Sequence, residues 1–466
     1  MSQKTRIIST LGPVSDSNEM LGQLIDAGVN IFRLNMSHAP REWVKDVTLR
    51  IRAIAKEKKR HTAVLCDLQG PSIRTGDLDE PYMLVPGDVL EFRKRDAEQK
   101  EKYSSTVNYE GLMDDVRAGD PLVVDNGYLL MTITEVLPDR IVCEVKTEGK
   151  LGSRRHINLP GVRLNLPALT AKDHGDLATA VEAGVDFIAG SFVRDAAHVD
   201  ELRKAMEELG GEAHIVAKIE DQEAIRNIDG IINAADGIMV ARGDLGVEVE
   251  FEELPLIQRR IVRRCHVLGR RVIVATQMLE SMIENPMPTR AEVTDVANAV
   301  FEEADAIMLS GETAMGRYPV QCVETLSRIA QRIERSGGMG YGKEVILRTE
   351  RQKTLRAAVN LVDSIADAQI ICFTRRGFLP VACAQLRPQS RIHAFTSKSG
   401  ICRKMALSRG VRAYQIPFSE DHDTNQAAAL EVLRGTGEVP EGTPLIVISD
   451  TLQKDHTVDS ILIIHA

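Results

Sequence analysis

The sequence predicts a (β/α)8 TIM barrel with an inserted all-β lid and a C-terminal α/β domain, and three observations predict it. Eight short apolar runs bounded by Gly, Asp or Asn, at residues 6–10, 30–34, 62–66, 186–191, 214–219, 237–241, 271–276 and 306–310, are each followed by a helical pattern. The intervening stretches keep the 3.6-residue period, as over 173–181, 199–209 and 256–268, and buried strands alternating with amphipathic helices build a parallel sheet. The runs recur about every 25 to 35 residues, except that more than about 120 residues separate the third from the fourth. A domain is therefore inserted there.

In chain order, residues 1–71 and 157–338 are assigned to the barrel. Residues 72–156 alternate with period 2 and carry the turn signals Pro86-Gly87-Asp88, Ala118-Gly119-Asp120 and Asp125-Asn126-Gly127, with no long amphipathic helix. They read as a β-rich lid. After a Gly-rich break at 336–342, residues 339–466 open with a helix at 353–366 and alternate strands at 369–374, 391–396, 411–417 and 443–449 with helices. This is a separate α/β domain, assigned to regulation or oligomerisation.

A chain of 466 residues exceeds what one core organises. Its 43% hydrophobic and 27% charged residues, and mean hydropathy of -0.14, describe a globular protein. No run of about eighteen apolar residues is present to span a membrane. A net charge of -9 and a pI near 5.8 argue against a nucleic-acid partner. The one dense basic run, Lys56-Glu57-Lys58-Lys59-Arg60, reads as the solvated end of a helix rather than a phosphate-binding patch. Seven scattered cysteines without a CxxC pair exclude a disulfide framework and zinc spacing, and fit reduced thiols in a cytoplasm. Met1-Ser2-Gln3-Lys4-Thr5-Arg6 leads directly into a strand without the pattern of a signal peptide.

Active sites of such barrels form at the C-terminal ends of the strands. Strand two ends in Arg33-Leu34-Asn35-Met36-Ser37-His38, strand three in Asp67-Leu68-Gln69-Gly70-Pro71 with Arg74 close behind, and strand five in Lys218-Ile219-Glu220-Asp221. Strand six runs into Arg242-Gly243-Asp244-Leu245-Gly246, strand seven into Thr276-Gln277-Met278 and strand eight into Ser310-Gly311-Glu312-Thr313. Glu220 and Asp244 on adjacent strands suit a hard dication that keeps water for substrate oxygens, which is magnesium chemistry. Lys218 and Arg33 add the cations that clamp a phosphoryl group in transfer. The plainer alternative is a salt-bridge network at the barrel mouth. Neither GxxxxGK[ST] nor a strand-linked GxGxxG is present, so a nucleotide binds by other means.

The strings Phe32-Arg33-Leu34-Asn35-Met36-Ser37-His38, Asp67-Leu68-Gln69-Gly70-Pro71, Asn158-Leu159-Pro160-Gly161, Leu166-Pro167-Ala168-Leu169-Thr170, Ala217-Lys218-Ile219-Glu220, Ala241-Arg242-Gly243-Asp244-Leu245-Gly246, Ala275-Thr276-Gln277-Met278-Leu279-Glu280-Ser281-Met282 and Leu309-Ser310-Gly311-Glu312-Thr313-Ala314 resemble those of the pyruvate kinase family, in its bacterial form with a short N-terminus. The resemblance covers nearly the whole chain in order and weakens after about Gly377. It implies transfer of the phosphoryl group of phosphoenolpyruvate to ADP, giving pyruvate and ATP, the last step of glycolysis. By this resemblance Glu220 and Asp244 hold Mg²⁺ or Mn²⁺, Lys218 stabilises the phosphoryl group and Arg33 contacts phosphate. Gly243, Asp244 and Thr276 cradle the substrate carboxylate, and Thr276, Ser310 and Glu312 are candidates for the proton relay to the enolate. Asn35, Ser37 and Asp67 line a monovalent-cation site, and Asn35, His38, Arg74 and Arg155 lie on the nucleotide side. The resemblance also implies a cytoplasmic homotetramer under allosteric control.

Two departures qualify it. Leu68, Gln69 and Ser72 stand where the family often carries Thr, Lys and Glu, so a hydroxyl ligand for potassium is lost and the balance favours an enzyme that works without K⁺. Thr374-Arg375-Arg376-Gly377-Phe378-Leu379 and Thr451-Leu452-Gln453-Lys454-Asp455-His456-Thr457 replace loops whose hydroxyls hold a sugar phosphate. A metal-dependent lyase or aldolase on an enolpyruvate-like substrate, and an inactive metabolite-binding regulator, are the rival readings. The Arg33-Lys218 clamp with the lid argues against the first, and the intact set Lys218, Glu220, Asp244 and Thr276 against the second.

Overall fold

The structure, a computed structural model, describes residues 3–125, 127–453 and 456–466, and the side chains of residues 450–453 and 456–459 fall outside that description. The expected turn residue Asn126, the terminal Met1-Ser2, and Lys454-Asp455 with the side chains around them in the second effector loop therefore lie outside the described residues.

Eight parallel strands close into a barrel: β1 (Arg6–Thr10), β2 (Ile31–Asn35), β3 (Ala63–Asp67), β4 (Phe187–Gly190), β5 (His214–Ile219), β6 (Gly237–Ala241), β7 (Arg271–Ala275) and β8 (Ala306–Leu309), with β1 paired to β8. Successive side chains point to opposite faces of a strand, and the sequence obeys this. Ile8, Leu65, Ala189, Val216, Met239, Ile273 and Met308 fill the barrel, while Ile7, Val64, Ile188, Ile215, Ile238, Val272 and Ile307 turn outward to the helices. The helices begin where the sequence supplies caps. Thr170 with Asp173, Thr289 with Glu292 and Thr349 with Gln352 each form a reciprocal capping box, so the helices Ala171–Glu182, Arg290–Phe301 and Glu350–Ser364 start at fixed points.

The segment after β3 leaves the barrel and folds on its own apolar cluster, which includes Leu90, Phe92, Ile133 and Ile141. It forms a six-stranded sheet from residues 89–93, 103–106, 121–124, 129–137, 140–145 and 157–158, plus a two-stranded piece. The buried Arg140 guanidinium meets Glu91 at 2.7 Å inside it. Antiparallel bridges Arg74↔His156 and Thr75↔Val107 form the hinge that returns the chain to the barrel.

The C-terminal part holds a five-stranded sheet in the order 411–415, 392–396, 369–373, 444–453 and 456–465. The last strand is antiparallel to its neighbour and was not anticipated, because its beginning reads as an effector loop. This part is fastened to the N-terminal ends of the barrel strands. Arg387 forks onto Asp305 with two 2.9 Å bonds, Arg271 donates to the Lys404 carbonyl at 3.0 Å, and Leu407 closes the barrel floor within the apolar cluster of Ile8 and Met239. Among the described residues no helix is long and apolar enough to cross a membrane.

Candidate active site

The opposite, C-terminal end of the barrel gathers the polar residues. Arg33, in β2, reaches across to Asp67 at the end of β3, Nε to Oδ2 at 2.6 Å, and its Nη1 donates to the Thr10 hydroxyl at 3.1 Å. Lys218, in β5, lies 3.3 Å from Asp67 Oδ1 and 2.8 Å from Glu220 Oε1, and donates to Ser191 Oγ at 2.7 Å. Arg33, Asp67, Lys218 and Glu220 thus form one continuous ion-pair chain whose members are buried or nearly so.

Burial opposes the charge of Lys218, but Asp67 and Glu220 outweigh it and hold the ammonium well above its ordinary pKa. Burial likewise opposes the charge of Asp67, and Lys218 and Arg33 still hold it below the usual carboxylate range. Glu220 behaves differently. Burial, with the nearby Asp244 adding, raises it to about 7 against the pull of Lys218. Its Oε2 accepts the Phe192 N–H at 2.6 Å, whereas Oε1 forms an ion pair with Lys218 at 2.8 Å. At a 1%-exposed glutamate, a carboxylate oxygen met by one ammonium keeps lone pairs that a further cation can use.

Asp244 sits in the first turn of the short helix Arg242–Glu248 that follows β6 directly, with its side chain one-third exposed and His156 of the lid hinge at 3.8 Å. Among the described residues no group of three or more His, Cys, Asp or Glu clusters as a metal site. Two carboxylates still suit a hard dication that would take its other ligands from water and substrate oxygens.

Thr276 follows β7 at φ +67, with Gln277 at +54. This left-handed pair explains why the apolar run at 271–276 overshoots the strand by one residue. The Thr276 hydroxyl donates to its neighbour's carbonyl, Ala275 O, at 2.7 Å and accepts the Gly243 N–H at 2.8 Å. Arg242 braces the turn, donating to Ala275 O at 3.2 Å, Thr276 O at 2.5 Å and Asp295 at 2.7 Å. Glu312 accepts the N–H groups of Leu279 and Ser310 at 3.0 and 2.7 Å, so both its oxygens hold the loop, and burial raises its pKa. The Ser310 hydroxyl is buried with no partner.

The remaining residues are less tightly gathered. Asn35 Oδ1 accepts the Ser37 N–H at 3.2 Å, and Leu68 is buried in the barrel's outer core. Arg74 donates to Ser72 Oγ at 3.2 Å and to the Arg154 carbonyl at 3.1 Å, beside His156. Arg155 pairs with Asp125 of the lid at 3.3 Å, and His38 is exposed just past β2. Neither touches the ion-pair chain. Ser191, Arg242 and His156 carry contacts to which the sequence analysis assigned no role. Ser191 directly follows the β4 apolar run, so inspection of every strand end, including the fourth, finds it.

Comparison with known proteins adds an independent line. A family model described as "Pyruvate kinase, barrel domain" matches residues 2–323, and one described as "Pyruvate kinase, alpha/beta domain" matches 352–464. The chain is 39% identical over 455 aligned positions to plastidial pyruvate kinase 2 of Arabidopsis thaliana, covering 97% of this chain and 78% of that one. To the pyruvate kinase of Geobacillus stearothermophilus it is 39% identical over 484 positions, with 99% and 81% covered. To that of Sporosarcina psychrophila it is 40% identical over 420 positions, with 88% and 71% covered.

Proposed function

The chain belongs to the pyruvate kinase family, and from that premise we propose how its own residues carry the reaction. It is a phosphotransferase that moves the phosphoryl group of phosphoenolpyruvate to ADP, giving pyruvate and ATP. The family uses a divalent metal. In our reading Glu220 and Asp244 hold it as Mg²⁺ or Mn²⁺, supported by the donor chemistry of two neighbouring carboxylates, one of them buried. When bound, such an ion neutralises phosphoryl and carboxylate oxygens and orients them.

Phosphoryl transfer asks the protein for alignment and charge neutralisation rather than covalent chemistry. Lys218 supplies a cation fixed by Asp67, Glu220 and Ser191, which therefore needs no reorganisation as charge develops on the moving group. Arg33, oriented by Asp67 and Thr10, presents a second cation to the phosphate. The helix starting at Arg242 offers the backbone N–H groups of Gly243 and Asp244 toward the substrate carboxylate, and the Thr276 hydroxyl, already bonded to Gly243, completes that cradle. After transfer the enolate is protonated at carbon. A threonine hydroxyl is too weak an acid alone, so Thr276 with Ser310 passes a proton from water, and Glu312 positions the loop that holds them. Arg74 at the hinge, with Asn35, His38 and Arg155 on the rim, forms the nucleotide side.

The observation that carries this reading is the fixed Lys218 ammonium between the carboxylates of Asp67 and Glu220 at the barrel mouth. A lactate-dehydrogenase-coupled assay with phosphoenolpyruvate and ADP, with and without Mg²⁺, tests it. Metal-dependent pyruvate formation is expected, and release of pyruvate without ATP would favour a lyase. The seven cysteines are free and buried, which supports a reducing, cytoplasmic setting. A homotetramer completes the proposal, to be measured by light scattering.

A further inference from the structure

The lid meets the barrel mouth at both ends of one short helix. His156, where the chain returns from the lid, stands 3.8 Å from Asp244 Oδ1 in the first turn of the helix Arg242–Glu248. Two residues on, Asn158 Nδ2 donates to Glu248 Oε1 at 3.0 Å, at the last residue of the same helix. Asn158 is itself part of the lid sheet, paired antiparallel with Val123, as Ile157 is with Val124. A strand of the lid therefore touches both ends of the segment that carries Gly243 and Asp244.

The contact of Asn158 with Glu248 is buried on both sides, with the residues 5% and 8% exposed. Gln222, in the loop after β5, donates its Nε2 to the Glu248 carbonyl at 2.5 Å, so the end of the helix is fixed independently of the lid. Packing alone does not dictate where the lid strand lies, because a cavity of about 240 Å³ lined by Pro71, Phe192, Asn158 and Glu248 opens beside it. Among the described residues no other side-chain hydrogen bond joins residues 156–163 to the barrel. The next fixed point is Arg194, whose guanidinium holds the Leu164 carbonyl at 2.7 Å and that of Leu166. Separating Asn158 from Glu248 leaves a buried donor and a buried acceptor short of a partner, so the bond resists sliding of the strand along the helix.

We propose that Asn158 and Glu248 are positioning residues for phosphoryl transfer: their buried bond makes the lid strand and the helix bearing Gly243 and Asp244 one piece, so that lid position and substrate cradle are set together. This rests on the reading of Gly243 and Asp244 as that cradle. Arg155, on the nucleotide side, lies three residues before Asn158 on the same returning strand of chain and is held by Asp125 of the lid. A ligand that orders the cradle thereby orders the lid, and the nucleotide that meets the lid finds it already placed. Such coupling is reciprocal, since each ligand raises the affinity of the other by the same factor.

The experiment is isothermal titration calorimetry of ADP into the full chain with saturating Mg²⁺, with and without oxalate, a planar dianion that fills the place of the substrate carboxylate. In the wild-type chain oxalate should tighten ADP binding by about fivefold or more. In Asn158→Ala the tightening should fall below about twofold. Asn158→Asp keeps the shape of the side chain but replaces the donor by an acceptor, and it should lose the tightening equally, which carries the test if the alanine variant does not fold. Glu248→Gln still accepts from Asn158 and should retain it. No tightening in the wild-type chain, tightening that survives in the Asn158 variants, or its loss in Glu248→Gln overturns the proposal while the wild-type chain still makes pyruvate and ATP. A wild-type chain that makes neither overturns the cradle reading, and this proposal with it.

Discussion

The backbone N–H of Gly243 points at the hydroxyl of Thr276, 2.8 Å away, although Thr276 holds a left-handed φ of +67. A β-branched residue in that region costs about 1–3 kcal/mol, and the Arg242 guanidinium, bonded to both carbonyls of the turn, offsets it. The start of one strand-end helix and the end of the next strand are thereby locked together, as the proposed substrate cradle requires.

Replacing Thr276 by Ala removes the hydroxyl but keeps the Arg242 brace, so enolate protonation should suffer more than phosphoryl transfer. Deuterium uptake into pyruvate from heavy water, followed by NMR, should slow by about tenfold or more relative to single-turnover ATP formation. Uptake at the wild-type rate contradicts the assignment.

Lys218→Met removes the cation between Asp67 and Glu220. We expect a loss of at least about 4 kcal/mol of transition-state stabilisation, roughly a thousandfold in kcat, with Mn²⁺ binding by EPR largely retained. A fall of less than tenfold in kcat means another group does this work.

Glu248 gives a pH prediction. It is buried at the lid hinge, accepts Asn158 Nδ2 at 3.0 Å, and burial, with Asp221 and Asp244 adding, raises its pKa from 4.5 to about 7. The folded state therefore holds this proton more tightly than the unfolded chain, and its contribution to stability declines as pH rises from about 4.5 through about 7. Glu248→Gln keeps the acceptor without the charge, so it should stabilise the protein by on the order of 2 kcal/mol at pH 8 and hardly at all at pH 4. Urea unfolding at the two pH values measures this, and equal effects at both would refute it.

Two of the three residues proposed for a monovalent cation, Asn35 and Asp67, are already engaged. Asp67 spends both oxygens on Arg33 and Lys218, Asn35 accepts a local N–H, and Leu68 is core. The enzyme should turn over without potassium. Assays in sodium-free and potassium-free tetramethylammonium buffer check this, and stimulation of tenfold or more by KCl at constant ionic strength would sink it.

In the first effector loop the Thr374 hydroxyl accepts the Gly377 N–H at 2.9 Å, and Leu379 lies in the core of the C-terminal part. Fructose 1,6-bisphosphate should accordingly activate weakly or not at all. A several-fold drop in the half-saturating phosphoenolpyruvate concentration at sub-millimolar bisphosphate would contradict this.

The barrel is legible in the sequence because each strand is a short apolar run cut off by a polar or glycine residue, and β1, β5 and β6 begin and end where the pattern places them. Thr276 deceives because an extended-looking run conceals a left-handed residue. The contact of Arg33 with Asp67 follows from the adjacency of β2 and β3, and that of Lys218 with Glu220 from their two-residue spacing at the end of one strand. The setting of Lys56–Arg60 does not, since the arginines facing it lie more than 300 residues further along the chain. Local charge patterning cannot distinguish a helix end in water from one facing another domain.

Leu407 gives the barrel a cork drawn from another part of the chain. Its side chain is fully buried among Ile8, Phe187 and Met308, yet it belongs to the segment between the second and third strands of the C-terminal sheet. Excision of residues 339–466 would leave an apolar hole open to water at the base of the barrel. The two parts are therefore not interchangeable modules: a chimaera that borrows its C-terminal part from a relative must bring a stopper of the same bore.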